Sequence, residues 1–135
     1  MLNKGKQMSN GIVTGQKRDL LFMKARRLVS DGHLEREQAA YKQAMSYYRK
    51  ALKIYEKLND PTGISESKGQ IGNILKQTGK YTHALQAFQD SLQIAEENGL
   101  LRQVGVTLGN MGALYTFMGE NHLAIEHWER AIDIF

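Results

Sequence analysis

Cysteine is absent from the 135 residues, so disulfides and thiolate metal sites are excluded, and a reducing compartment is the simplest setting. Proline occurs once, leaving little to interrupt long helices. No apolar run approaches the length needed to cross a membrane. The start, "MLNKGKQMSNGIVTGQ", has lysines but lacks the apolar core of a secretion signal, so a cytoplasmic location is the default. What is present is ordinary for one soluble domain: 41% hydrophobic and 24% charged residues.

The net charge of +4 hides an asymmetry. Residues 1–57 hold 13 Lys/Arg against 5 Asp/Glu, and residues 58–135 hold 5 against 9. Such polarity can steer an acidic partner or bring two copies head to tail, although exposed charge is more often a solvated helix face.

Long amphipathic stretches point to helix. In "AAYKQAMSYYRKALKIYEKL", Ala44, Tyr48, Ala51, Leu52 and Tyr55 share one face at three- and four-residue spacing, with Lys42, Arg49, Lys50 and Lys53 mostly elsewhere. Asn59-Asp60-Pro61 stops that helix. A shift of forty residues then repeats the pattern. Between 68–92 and 108–132 only four of 25 aligned pairs are identical, Gly69/Gly109, Gly72/Gly112, Gly79/Gly119 and Ala84/Ala124, and all are small. Large positions stay large: Ile71 becomes Met111, Leu75 becomes Tyr115, and Phe88 becomes Trp128. One shift back aligns Gly32, Tyr41, Ala44, Tyr48 and Ala51 with Gly72, Tyr81, Ala84, Phe88 and Ser91.

A mid-helix glycine costs about 1 kcal/mol against alanine, so its recurrence requires a compensating contact. Gly72 and Gly112 are expected to face Ala84 and Ala124 across tightly crossed antiparallel helices, with Phe88 and Trp128 filling the gap toward the next pair. Gly79 and Gly119 follow a helix, where a left-handed cap favours glycine. The expected fold is all-α, a right-handed α-solenoid of about three helical hairpins.

"LGNMGALYTFMGENHLAIEHWERAI" resembles the tetratricopeptide repeat through Leu108, Met111-Gly112, Tyr115, Gly119, Ala124, Trp128 and Ala131. The forty-residue period exceeds that family's usual one. It is similar to the subclass found in kinesin light chains, spindle-orientation adaptors and bacterial peptide-responsive regulators. The resemblance covers roughly residues 18–135. It implies one domain over 17–135, with units of about 17–60, 61–100 and 101–135, after a disordered tail at 1–16. The first unit departs from the pattern, because Asp31 and Glu35 stand where apolar residues are expected. Either its first helix runs from Arg18 to about Ser30 before a longer linker, or it is an irregular capping helix. The chain stops at Phe135 within the last unit's second helix, as expected of a fragment of a longer protein or of a small module that dimerises through that helix.

Catalytic chemistry finds little support. Gly79-Lys80 lacks the glycine five positions earlier, and Tyr81 replaces the Ser/Thr that a phosphate-cradling loop needs. His122 and Glu126 lie one helical turn apart, but His122 and His127 are five apart, on different faces, and fit no zinc-protease spacing. No nucleophile has a base and an orienting partner by spacing. Neither a catalytic residue nor a metal or other cofactor is expected. The interleaved bases and aromatics of "YKQAMSYYRKALKIY" could suit single-stranded nucleic acid. However, Tyr48 and Tyr41 fall at packing positions, leaving Tyr47 and Tyr55 free.

The family's packing implies a concave face built from the first helix of each unit. In the middle unit this comprises Glu66, Gln70, Asn73, Lys76 and Gln77, with Gly69 admitting a ligand to the backbone. In the last unit it comprises Val106, Asn110, Ala113, Thr116 and Phe117, with Gly109 in the equivalent role. Asn73 and Asn110 can clamp a peptide backbone through amide donors and acceptors, and Val106 and Phe117 offer apolar contact. The lysine of the chaperone-tail clamp is missing, since Gly69 occupies its place, which disfavours that ligand. The expected function is non-catalytic binding of a protein or peptide segment in this groove. The alternatives are a homo-oligomeric scaffold formed through the uncapped last helix, and nucleic-acid binding by the basic N-terminal half. No membrane partner is expected.

Overall fold

The computed structural model describes residues 14–135, and the expected tail at 1–16 therefore lies mostly outside the described residues. Six α-helices follow one another: α1 (Gly15–Glu37), α2 (Tyr41–Lys57), α3 (Pro61–Gln77), α4 (Tyr81–Glu97), α5 (Leu101–Phe117) and α6 (Asn121–Ile134). They form three hairpins, α1/α2, α3/α4 and α5/α6, with no strand among the described residues; α3 also touches α5 directly. Gly15 and Gln16 belong to α1 rather than to the tail, because Thr14 caps that helix by accepting from the Lys17 N–H at 3.4 Å.

The turns share one geometry. A residue with positive φ recurs every twenty positions, at Ala39 (59°), Asn59 (51°), Gly79 (79°), Gly99 (64°) and Gly119 (78°). After α3, the Gly79 N–H donates to the Lys76 carbonyl at 3.1 Å and the Lys80 N–H to the Leu75 carbonyl at 2.8 Å. The same paired closure ends α1, α2, α4 and α5, satisfying carbonyls that a helix end would otherwise leave without partners. Asp60 then starts α3 by accepting from the Gly63 N–H at 3.1 Å, with Pro61 in the first turn, where its missing N–H costs nothing.

Three local cores replace one central core. Ala25, Ala44, Tyr48, Ala51, Tyr55 and Ile74 form the first, Ala84, Phe88, Met111 and Leu114 the second, and Ala95, Val104, Leu108 and Ala131 the third. Such a series follows when each hairpin buries its apolar face only on its neighbours. A polar seam runs from inside the second hairpin to the third. Ser65 and Ser91 each donate to the other's carbonyl, at 3.0 and 2.7 Å, and Thr107 Oγ1 lies 3.3 Å from Ser91 Oγ.

The nearest neighbours of Gly32, Gly63, Gly72 and Gly112 are aromatic rings. A Cβ on Gly32 would come 2.6 Å from the Tyr48 ring, and one on Gly72 would come 2.6 Å from the Phe88 ring. Gly112 is covered in the same way by Trp128, and Gly63 by Tyr55. Each of these glycines thus makes room for an aromatic ring of the adjacent helix, since a flat ring needs the whole side-chain volume and an alanine opposite does not. Phe88 and Trp128 accordingly sit over the glycines of their own hairpin rather than reaching only toward the next. Tyr55 is buried by the same packing, contrary to the expectation that it is free.

The first unit is regular. α1 continues through Asp31 to Glu37 instead of ending near Ser30, and no long linker follows. Asp31 is accommodated half-buried because Arg27, one turn earlier, donates to it at 3.1 Å.

Candidate functional site

Helices α1, α3 and α5 lie side by side, and the forty-residue repeat brings equivalent positions into rows across them. Arg26, Glu66 and Val106 form one row, Ser30, Gln70 and Asn110 the next, then His33, Asn73 and Ala113, and finally Arg36, Lys76 and Thr116. Between α1 and α3 is a hollow of about 410 Å³ lined by Phe22, Arg26, His33 and Glu66, with Tyr55 beneath. A hollow of about 160 Å³ between α3 and α5 is lined by Glu66, Gly69, Gln70, Arg102, Val106 and Asn110. Glu66 borders both.

Side-chain bonds fix the floor and one crossing point of this surface. Arg36 Nη1 donates to Gln70 Oε1 at 2.6 Å, tying α1 to α3 and occupying one lone pair of the Gln70 amide. The Tyr48 hydroxyl and His33 Nδ1 share a hydrogen bond at 2.6 Å. Burial, reinforced by the Arg36 guanidinium, holds the His33 imidazole below its usual range, and burial pushes the Tyr48 phenol up. Lys76 is held below the ordinary lysine value by burial and by Arg36. Its ammonium lies 5.6 Å from the centre of the Phe117 ring, a cation–π contact at the far end of the surface.

The structure therefore gathers Glu66, Gln70, Val106 and Asn110 around one hollow and pairs Lys76 with Phe117 at the α3/α5 ends. Asn73 and Ala113 are half-buried, and Gln77 is exposed. The Thr116 hydroxyl donates to the Gly112 carbonyl at 3.1 Å, so it is partly spent within its own helix. Gly109 has nothing within 4 Å of where a Cβ would be, although its carbonyl accepts from the Trp128 indole N–H at 3.2 Å. Phe22, Arg26, His33, Arg36 and Arg102 were not anticipated at this surface. For Arg26, His33 and Arg36 the signal was the same forty-residue shift taken one unit further back, which the uncertain end of α1 concealed.

Among the described residues no group of three or more His, Asp or Glu side chains could hold a metal ion, and no helix is long and apolar enough to cross a membrane.

The helical hairpins stack as a repeat-type solenoid with a lined surface along the first helix of each pair. Residues 32–97, just under half of the chain, match the family described as Tetratricopeptide repeat. Two Photosystem I assembly proteins Ycf3, from Prochlorococcus marinus strains MIT 9301 and MIT 9215, are each 37% identical over 76 residues. That match takes in 53% of this chain and 42% of theirs, so the chain spans less than half the length of these relatives. Among solved structures, the TPR domain of Arabidopsis FLU superposes with a TM-score of 0.73 at 20% identity, covering 84% of this chain and 95% of that one. BtubC (BKLC) from P. vanneervenii gives 0.68 at 19% identity, covering 89% and 55%. The N-terminal domain of stress-induced protein-1 from C. elegans gives 0.66 at 15%, covering 85% and 87%. At these identities the structural likeness concerns the fold.

Proposed function

We propose that this domain binds an extended segment of a partner protein along the surface formed by α1, α3 and α5. The supporting observation is the pair of adjoining hollows bordered by Glu66, set between helices that repeat the same rows of polar side chains. Among the described residues the Asn73 and Asn110 amides are not drawn into the side-chain bonds that engage Gln70 and Thr116. They retain donors and acceptors for a peptide backbone, each bond contributing about 0.5–1.5 kcal/mol net. Val106 and Phe117, both exposed, supply apolar anchors.

The relatives named as assembly proteins are compatible with a scaffold that holds other polypeptides, and a cytoplasmic setting fits this reading. The forty-residue unit supports placing the domain in the long-helix subclass similar to kinesin light chains. The decisive experiment is capture of a bound partner by the domain and by an Asn73→Ala/Asn110→Ala variant. The variant should lose the partner while keeping its helical spectrum; unimpaired capture would count against the groove.

A second reading, self-association, draws on one observation. The outer face of α6 exposes Ile125, Trp128 and Ile132, with Glu126, Glu129 and Asp133 beside them. A second copy is one occupant of that face. Nucleic-acid binding by the basic half is less favoured, because Tyr55 is buried and Lys50 lies over the Tyr47 ring at 5.9 Å.

A further inference from the structure

We infer that the junction of the first and second hairpins carries a second binding cleft, separate from the groove, that takes an acidic peptide segment bearing apolar side chains. The cleft lies between α2 and the C-terminal turn of α3, encloses about 750 Å³, and shares no lining residue with either groove hollow. Its cations are Lys42, Arg49, Lys50 and Lys53 on α2 and Lys80 just after α3. Among the described residues no aspartate or glutamate lines it. Among the described residues the ion pair present is Arg27–Asp31, far along the chain from these five groups, and Glu56, the sole carboxylate of α2, pairs with none of them.

Like charges crowded at one cleft repel, and the field they sum to raises the local concentration of anions. Lys42, Ser46, Arg49 and Lys53 recur at four-, three- and four-residue spacing, so they form a row along one helix face. That row is about 16 Å long at the helical rise. A lone phosphate would engage only one end of it, whereas a chain carrying several carboxylates spans it.

The rest of the lining discriminates between polyanions. Met45 and Leu75 contribute aliphatic surface over buried Ile74, with Tyr41 beside them. Single-stranded nucleic acid is held by exposed aromatic faces on which bases stack. An aliphatic wall, with a methionine that adapts its shape, instead suits leucine, isoleucine or phenylalanine side chains. Cations along one wall and aliphatic surface along the other therefore match an amphipathic acidic segment of a partner protein.

The test is fluorescence anisotropy of the whole domain with a labelled peptide built from the heptad Leu-Glu-Glu-Leu-Asp-Glu-Phe. Controls are a peptide with serine replacing each leucine and phenylalanine, and a deoxythymidine oligonucleotide of equal length. Binding of the heptad peptide is expected to weaken about tenfold or more when salt rises from low to moderate levels, as screening requires. Arg49→Glu with Lys53→Glu should abolish it, and Met45→Asp should weaken it without loss of helicity. Asn73→Ala with Lys76→Ala, in the groove, should leave it unchanged. The inference is overturned if the charge-reversed variant binds as well as the parent, if the groove variant alone loses the peptide, or if the serine peptide or the oligonucleotide binds equally well.

Discussion

Glycines with the same repeat spacing do different jobs at different positions. Gly72 lies under the Phe88 ring, where an added methyl would approach to 2.6 Å, whereas Gly109 has open space within 4 Å. Both sit inside helices, so both carry the helix cost of about 1 kcal/mol against alanine. Gly72→Ala is expected to lower stability by about 1–3 kcal/mol through overpacking. Gly109→Ala should raise it by up to about 1 kcal/mol, with no clash to offset the gain. Urea unfolding of the two variants checks both signs, and a stabilised Gly72→Ala would contradict the ring-on-glycine packing. Ser67 offers a smaller contrast: its hydroxyl is buried without a partner, whereas Ser65 and Ser91 satisfy each other.

At the scale of elements, the turns and the tie between α1 and α2 matter most. Ala39 occupies with φ of 59° the position that glycine holds at 79, 99 and 119. A left-handed backbone strains an alanine by about 1–2 kcal/mol, part of which glycine returns as unfolded-state entropy. Ala39→Gly is therefore expected to stabilise the domain by about 0.5–1 kcal/mol, read as a raised denaturant midpoint at unchanged slope. The α1/α2 pair also contains His33 bonded to buried Tyr48. Because burial lowers the folded-state pKa of His33 below 6.5, the unfolded chain takes up the proton first as pH falls. The stability contributed by neutral His33 is thus complete above pH 6.5 and is lost on acidification through the lowered folded value. Melting temperature should drop across that window, and His33→Gln should flatten the profile; an equally steep profile in the variant would place the titration elsewhere.

For the whole molecule, each hairpin buries its sides on its neighbours, and among the described residues none covers Ile132 of α6, which is 70% exposed. If that face joins copies, sedimentation velocity should show mass rising with concentration, and Ile132→Asp should suppress the rise without altering helicity. A monomer at every concentration removes that reading and leaves the groove untouched. The groove hollows and the basic cleft share no lining residue, so a partner could occupy one without covering the other.

The fold was legible because packing a repeated hairpin constrains side-chain size at fixed intervals, and size is written directly in the sequence. Gly72, Gly112, Phe88 and Trp128 announced close helix contacts, and Gly79 and Gly119 announced the turns. That the Phe88 and Trp128 rings lie directly on Gly72 and Gly112 was not legible, since periodicity records which positions are small and not which neighbour crosses them. α1 was read too short because Asp31 broke the apolar pattern, and the Arg27 contact that accommodates it depends on side-chain geometry. The expected groove positions on α3 and α5 came from the family resemblance and not from periodicity, and the link from Arg36 to Gln70 joins residues 34 apart in sequence and exists only once α1 lies beside α3. The sequence by itself determined a stack of helical hairpins, through spacing and residue volume. Only the tertiary structure decided which charges stand together, because electrostatic surfaces are assembled from segments that the chain order keeps apart.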